Sequence, residues 1–91
     1  MGSSIESRYG CILTGLHNSV TGPTSTVVGG NSNLASGDES VVVGGGSNTA
    51  SGDDGAVLGG YQNSASGVSG SSVGGGRNQN ANLEYEFLPK P

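Results

Sequence analysis

The side chains that could do chemistry in this chain are few and lie apart from one another. His17 is the only histidine and Cys11 the only cysteine, so the chain can form neither an intrachain disulfide nor a Cys/His zinc site. No carboxylate or cysteine lies within motif distance of His17, and no nucleophile and base have useful spacing. We therefore expect His17 to be a solvated turn residue and Cys11 a buried, inert thiol. We do not expect an enzyme.

Two acidic pairs recur fifteen residues apart, Asp38 with Glu39 and Asp53 with Asp54. Their oxygens are the ligands that calcium prefers, but the Asp-x-Asp-x-Asp loop pattern is absent. A solvated acidic corner is the expected structure. The glycine runs 44–46 and 74–76 lack the Lys-Ser/Thr of a phosphate loop. The sequence therefore predicts neither a metal nor a cofactor.

The composition excludes several classes of protein. A net charge of −4 with three basic residues gives no footprint for binding nucleic acid. No apolar run approaches the roughly 20 residues of a membrane span, so we expect no membrane insertion by this chain. Gly, Ser and Asn occupy 42 of the 91 positions, whereas Val, Leu, Ile and Phe occupy 18, too few for a thick core. A flexible linker or a regular array remains.

A period of fifteen residues favours the array. Rows that begin at residues 10, 25, 40, 55 and 70 align in columns. One column is always glycine: Gly15, Gly30, Gly45, Gly60 and Gly75. Another is always asparagine: Asn18, Asn33, Asn48, Asn63 and Asn78. A third is always a bulky aliphatic residue: Leu13, Val28, Val43, Leu58 and Val73. Columns this regular indicate repeated structural units rather than low-complexity drift.

Each row predicts two short strands and two corners. Residues 40–43 are Ser-Val-Val-Val and precede three glycines, which is typical of a strand followed by a turn. Residues 48–51 form a thinner second strand, which ends at Gly52 and an acidic corner. The predicted fold is all-β, a parallel β-roll or β-solenoid of about five 15-residue rungs with two short strands per rung.

Alternation along the strands assigns the apolar columns to two faces. The column of residue 43 is always large, so we expect it to pack against the alanines of the second strand. The predicted roll core is Leu13, Val28, Val43, Leu58, Val73, Ala35, Ala50 and Ala65. The column of residue 42 must then face outward, and an apolar outer stripe is an interface signal. The predicted oligomer interface is Ile12, Val27, Val42 and Val57.

Two further sets of residues have predicted roles. A stacked asparagine on every rung can pair its amide with the backbone or with the next rung, so we expect an internal ladder. Its members are Asn18, Asn33, Asn48, Asn63 and Asn78. Tyr61 and Arg77 interrupt surface columns that are otherwise small or uncharged, and they are the first candidates for a surface recognition patch.

The repeat resembles a known family. Residues 40–44, Ser-Val-Val-Val-Gly, followed by residues 48–52, Asn-Thr-Ala-Ser-Gly, resemble the head repeat of trimeric autotransporter adhesins, the YadA-like group. The resemblance covers roughly residues 10–81. It implies a left-handed parallel β-roll in an intertwined or side-by-side homotrimer, extracellular or on a bacterial surface. It further implies a non-enzymatic adhesive head that binds a host surface or matrix protein.

The flanking segments differ from that family. The sequence shows no signal peptide, neck, coiled-coil stalk or membrane anchor. If the 91 residues are a complete gene product, we expect instead a phage virion protein, as a trimeric tail-fibre tip or capsid-decoration protein with other virion proteins as partners. The expected segments are an N-terminal arm (1–9), the roll (10–81) and a capping strand with a proline-containing tail (82–91). In that tail, Leu83, Tyr85 and Phe87 alternate with glutamates, which predicts one half-buried strand with these three side chains on the same face.

Overall fold

The protein is a β-solenoid built from two parallel sheets. The structure, a computed structural model, describes residues 3–5, 9–67, 69–83 and 86–89. One sheet, here the alanine sheet, contains β1 Ser4–Ile5, β3 Ser19–Val20, β5 Leu34–Ala35, β7 Thr49–Ala50, β9 Ser64–Ala65 and β11 Asn80–Ala81. The other, the valine sheet, contains β2 Cys11–Ile12, β4 Thr26–Val27, β6 Val41–Val42, β8 Ala56–Val57, β10 Ser72–Val73 and β12 Phe87–Leu88. The described residues contain no helix.

The chain alternates between the sheets, and each strand pairs with the strand one rung away. The orders are β1-β3-β5-β7-β9-β11 and β12-β10-β8-β6-β4-β2, and every pairing is parallel. The predicted all-β solenoid with two short strands per rung is therefore confirmed. Because the principal extents are 36 × 22 × 13 Å, the sheets enclose only one thin layer of side chains.

That layer is the core, and it corrects the prediction for the valine sheet. Val27, Val42 and Val57, predicted to form an oligomer interface, are fully buried, and Ile12 packs partly buried against them. The alanines opposite are buried as predicted: Ala35, Ala50 and Ala65. Of the predicted core, Leu13, Val43 and Leu58 are instead 71, 39 and 53 % exposed, and Val28 is half-buried. The column predicted to face outward is therefore buried, and most of the column predicted to be buried faces outward.

The corner serine sets which column points inward. Ser40 is buried, and its hydroxyl donates to the Gly37 carbonyl at 2.8 Å. Side chains alternate along a strand, so a buried Ser40 places Val42 inside and Val43 outside. A β-branched side chain of constant shape also suits the narrow space opposite alanine, whereas the longer Leu13 lies outside.

The last rung is shifted by one residue relative to the predicted columns. Paired residues on neighbouring rungs are fifteen apart up to Gly67 and sixteen apart where residues 53–65 pair with residues 69–81, as Asp53 does with Ser69. The spacing returns to fifteen where Ser72 pairs with Phe87. Val73 therefore pairs with Val57 rather than with Leu58, and it is buried. Similarly, Ala81 takes the core place that fifteen-residue rows give to Asn80.

The asparagine ladder is confirmed for four of its five predicted members. Each buried amide nitrogen of Asn18, Asn33, Asn48 and Asn63 donates to one carbonyl of its own turn and one of the next rung. Each side-chain oxygen accepts the backbone N–H one rung later. Asn78 is wrong as a member: it is exposed at φ 57°, and Gln79 takes its place.

The solenoid extends into both flanking segments. β1 lies within segment 1–9 and pairs with β3, and β12 lies within segment 82–91 and pairs with β10. In β12 the side chain packed against the core is Leu88, while Phe87 is 58 % exposed. Leu83, predicted to share a half-buried face with Phe87, is 62 % exposed. Tyr85, the third residue of that predicted face, lies outside the described residues.

Candidate interaction surfaces

The outer face of the valine sheet is an apolar surface that crosses four rungs. In each rung the residues on either side of the buried position point outward, which brings together Cys11, Leu13, Thr26, Val28, Val41, Val43, Ala56 and Leu58. We call these eight residues the apolar face. It contains no charged side chain, and the exposure of Leu13 and Leu58 exceeds half. A contiguous apolar patch on the outside of a protein is typical of an interface.

The outer face of the alanine sheet differs in chemistry. Its outward positions are Ser19, Thr21, Leu34, Ser36, Thr49, Ser51, Ser64, Ser66, Asn80 and Asn82. All but Leu34 carry a hydroxyl or an amide, and none is charged. We call these ten residues the hydroxyl face. The solenoid thus presents two broad uncharged faces of opposite polarity.

The glycine corner between the two sheets carries the predicted recognition pair. Tyr61 and Arg77 are paired neighbours on successive rungs, and the guanidinium carbon Cζ of Arg77 lies 5.9 Å from the centre of the Tyr61 ring. Gly46 leaves room for the ring, because a Cβ there would lie 3.1 Å from Tyr61 Cδ1. Tyr61 is 46 % exposed. The structure therefore brings the pair together as a cation–π contact on the surface.

The opposite corner is acidic and exposed. Asp53 accepts a hydrogen bond on Oδ1 from the Asp38 backbone N–H at 3.3 Å. A side-chain hydrogen bond with Asp54, followed by repulsion from Asp54 and Asp38, raises the pKa of Glu39 above its ordinary value. Among the described residues no cluster of three or more metal-ligating side chains is present.

The two lone reactive side chains lie on the surface. His17 is exposed in a turn at φ 54°, as expected for a solvated turn residue. Cys11, expected to be buried, is exposed on the apolar face. Cys11 is exposed because it points outward on the same side of the valine sheet as Leu13, whereas Ile12 between them points toward the core.

The described part of the chain has no enclosed pocket, and none of its elements is a helix long and apolar enough to cross a membrane. The candidate sites are therefore open surfaces. Comparisons with protein-family models, curated proteins and solved structures found no match to this chain.

Proposed function

We propose that this chain is a non-enzymatic structural and adhesive module that works as a homotrimer outside the cell. The observation that carries the proposal is the apolar face. The resemblance of the repeat to the heads of trimeric autotransporter adhesins adds the number of copies and the adhesive role. On this proposal, the partners are two further copies of the chain and a host surface or matrix protein.

The thin core supports the proposal that copies of the chain bury surface against one another. The core alanines contribute little apolar area. Burial within a single chain therefore offsets only part of the conformational entropy that is lost when a chain of this length folds. The apolar face leaves Leu13, Val43 and Leu58 exposed, directly after strands β2, β6 and β8 of the valine sheet. Packing them against other copies buries the apolar area that the core of a single chain lacks. Three copies around one axis can each turn the apolar face toward that axis.

The asparagine ladder suits a structural module. Each of the four ladder asparagines bonds its own rung to the next through a buried side chain, in addition to the backbone pairing. Buried hydrogen bonds of this kind hold one register, because a slip would leave several polar groups unpaired. A solenoid that keeps one register presents its surface residues in a fixed arrangement, which suits an adhesive head.

The test compares two variants of equal charge. Val43→Asp with Leu58→Asp places two carboxylates on the apolar face, and Thr49→Asp with Ser64→Asp places two on the hydroxyl face of the same rungs. Sedimentation velocity should give a trimer for the wild type and for the second variant, but smaller species for the first. A monomeric wild type at micromolar concentration contradicts the proposal.

The adhesive part has its own measurement. Fluorescently labelled wild-type trimer should bind surfaces coated with collagen or fibronectin more than surfaces coated with albumin. Trimers that bind all three coatings equally contradict the adhesive role while leaving the structural role in place.

A further inference from the structure

The apolar face has edges of opposite charge. Each rung of the valine sheet runs from the acidic corner to the glycine corner, so the two corners border the face on opposite sides. The acidic edge carries Asp38 and Glu39 before β6 and Asp53 and Asp54 before β8, all exposed. The glycine edge carries Arg77, which is exposed and is the only lysine or arginine among the described residues. One edge of the face is therefore negative, and the other is positive.

Tyr61 sets the level of the positive charge along the solenoid. Arg77 follows β10, one rung beyond Tyr61, which follows β8. The guanidinium nevertheless lies over the Tyr61 ring, with Cζ 5.9 Å from the ring centre. The arginine side chain thus reaches back toward the rung of β8, which is the rung that Asp53 and Asp54 precede at the opposite edge.

We propose that Arg77 of one copy pairs with Asp53 and Asp54 of the next copy, where the edges of two apolar faces meet. The inference rests on the proposed packing of copies through the apolar face, and it adds the contact at the edges. Rotation about an axis parallel to the solenoid brings unlike edges together and keeps every rung at its own level. The guanidinium of one copy then meets the aspartates of the next near the level of β8.

The same charges disfavour antiparallel packing. A half turn about an axis parallel to the strands also places two apolar faces in contact, but it brings like edges together. The acidic corner, with its four carboxylates, then meets the acidic corner of the other copy. Like charges across an interface cost free energy, whereas opposite charges at its rim fix orientation and register. A second, parallel copy is therefore the partner whose charges complement both edges of this face.

Cross-linking between introduced cysteines tests the contact. In full-length chains with Cys11→Ala, Asp53→Cys and Arg77→Cys place one thiol on each edge, at two exposed positions. Each single-cysteine protein and the chain with both cysteines are treated with a short bis-maleimide and separated on denaturing gels. A chain with Asp53→Cys and Ser64→Cys is the matched control, because its second thiol lies on the hydroxyl face. Circular dichroism and sedimentation velocity establish the fold and the number of copies of every variant.

We expect the chain with both edge cysteines to give covalent dimers and trimers, at least tenfold more than the control or either single-cysteine protein. A folded trimer in which the two edge cysteines do not cross-link overturns the inference and leaves the proposed trimer in place. Efficient cross-linking of the protein with Asp53→Cys alone shows like edges in contact and also overturns it. A folded, monomeric wild type refutes the proposed trimer and the edge contact together.

A charge variant separates ion pairing from mere proximity. Arg77→Gln and Ser64→Glu each lower the net charge by one, but only the first removes the proposed pair. At low salt we expect Arg77→Gln to raise the trimer dissociation constant about fivefold over that of Ser64→Glu. The difference should shrink at high salt, because ions screen exposed charges. Equal dissociation constants for the two variants at low salt contradict the pairing of Arg77 with the aspartates.

Discussion

The backbone N–H of Asn63 donates a hydrogen bond to the side-chain oxygen Oδ1 of Asn48, one rung earlier, at 2.9 Å. The same contact recurs on the next rung, where Oδ1 of Asn63 accepts a hydrogen bond from the Gln79 backbone N–H at 2.9 Å. The amide nitrogen of Asn63 donates to the carbonyls of Gly59 and Gly76. One buried side chain therefore satisfies three backbone groups, one on its own rung and two on the next.

Replacing a ladder asparagine should cost far more than replacing the neighbouring one in the turn. Asn63→Gly removes three hydrogen bonds made by a buried side chain, at about 1 kcal/mol each, so the free energy of unfolding should fall by about 3 kcal/mol. Asn78→Gly is the control, because Asn78 is exposed at a positive φ that glycine adopts freely. Urea denaturation at one protein concentration measures both. Equal losses for the two variants would show that the ladder does not hold the rungs.

The periodicity of the sequence predicts the solenoid, the alanine wall and most of the ladder. It does not settle which apolar column of the valine sheet is inside. Val42 and Val43 are both apolar and adjacent, and a strand has only two faces, so size alone misassigned them. The useful signal was shape: the buried column is β-branched from Ile12 to Val57, while the outer column mixes leucine and valine.

The shift of the last rung was also hidden for a physical reason. Gly74, Gly75 and Gly76 give the glycine corner two possible registers, and only the second places Gly76 at the positive φ of Gly60. The signal in the sequence was the departure of Asn80 from an otherwise apolar column. Ala81, one residue later, restores the column in the structure.

The thin core predicts a sharp difference between two adjacent positions of β7. Ala50→Leu forces a large side chain into the closed space opposite the valines and should lower the free energy of unfolding by about 2 kcal/mol. Thr49→Leu should change it by less than about 0.5 kcal/mol, because Leu34 already occupies the paired outward position. Chemical denaturation of both variants provides the test, and a well-tolerated Ala50→Leu would be inconsistent with the closed core.

At the acidic corner, one position of each rung has a left-handed backbone conformation that glycine adopts without strain. Thr24, Glu39 and Asp54 lie at φ 55–57°, and Gly70 occupies the matching place at φ 68°. A β-branched residue is strained in this left-handed conformation, so Thr24→Gly should raise the free energy of unfolding by about 1 kcal/mol. Thr26→Gly, in strand β4, should lower it by a similar amount. Thermal denaturation that shows Thr24→Gly to be destabilising would contradict the corner geometry.

The acidic corner predicts a pH dependence of a definite sign. The folded state raises the pKa of Glu39 above 4.5, through the hydrogen bond with Asp54 and the repulsion from it. The folded protein therefore holds this proton more tightly than the unfolded chain, and the contribution of Glu39 to stability falls as pH rises through that raised pKa. Glu39→Gln removes the negative charge that Glu39 carries at pH 7, and with it the repulsion from Asp54 and Asp38. The variant should melt at a higher temperature than the wild type at pH 7, and the difference should shrink as pH falls toward 4.5. A constant difference would show that the carboxylates do not interact.

The single cysteine reports directly on the apolar face. Cys11 is exposed in the isolated chain and lies beside Leu13, so packing of further copies against this face should cover its thiol. We expect a maleimide reagent to label wild-type Cys11 at least tenfold more slowly than the variant with Val43→Asp and Leu58→Asp. The variant with Thr49→Asp and Ser64→Asp, which has the same charge, should label as slowly as the wild type. Rapid labelling of a wild-type trimer would place the contact between copies on another face of the solenoid.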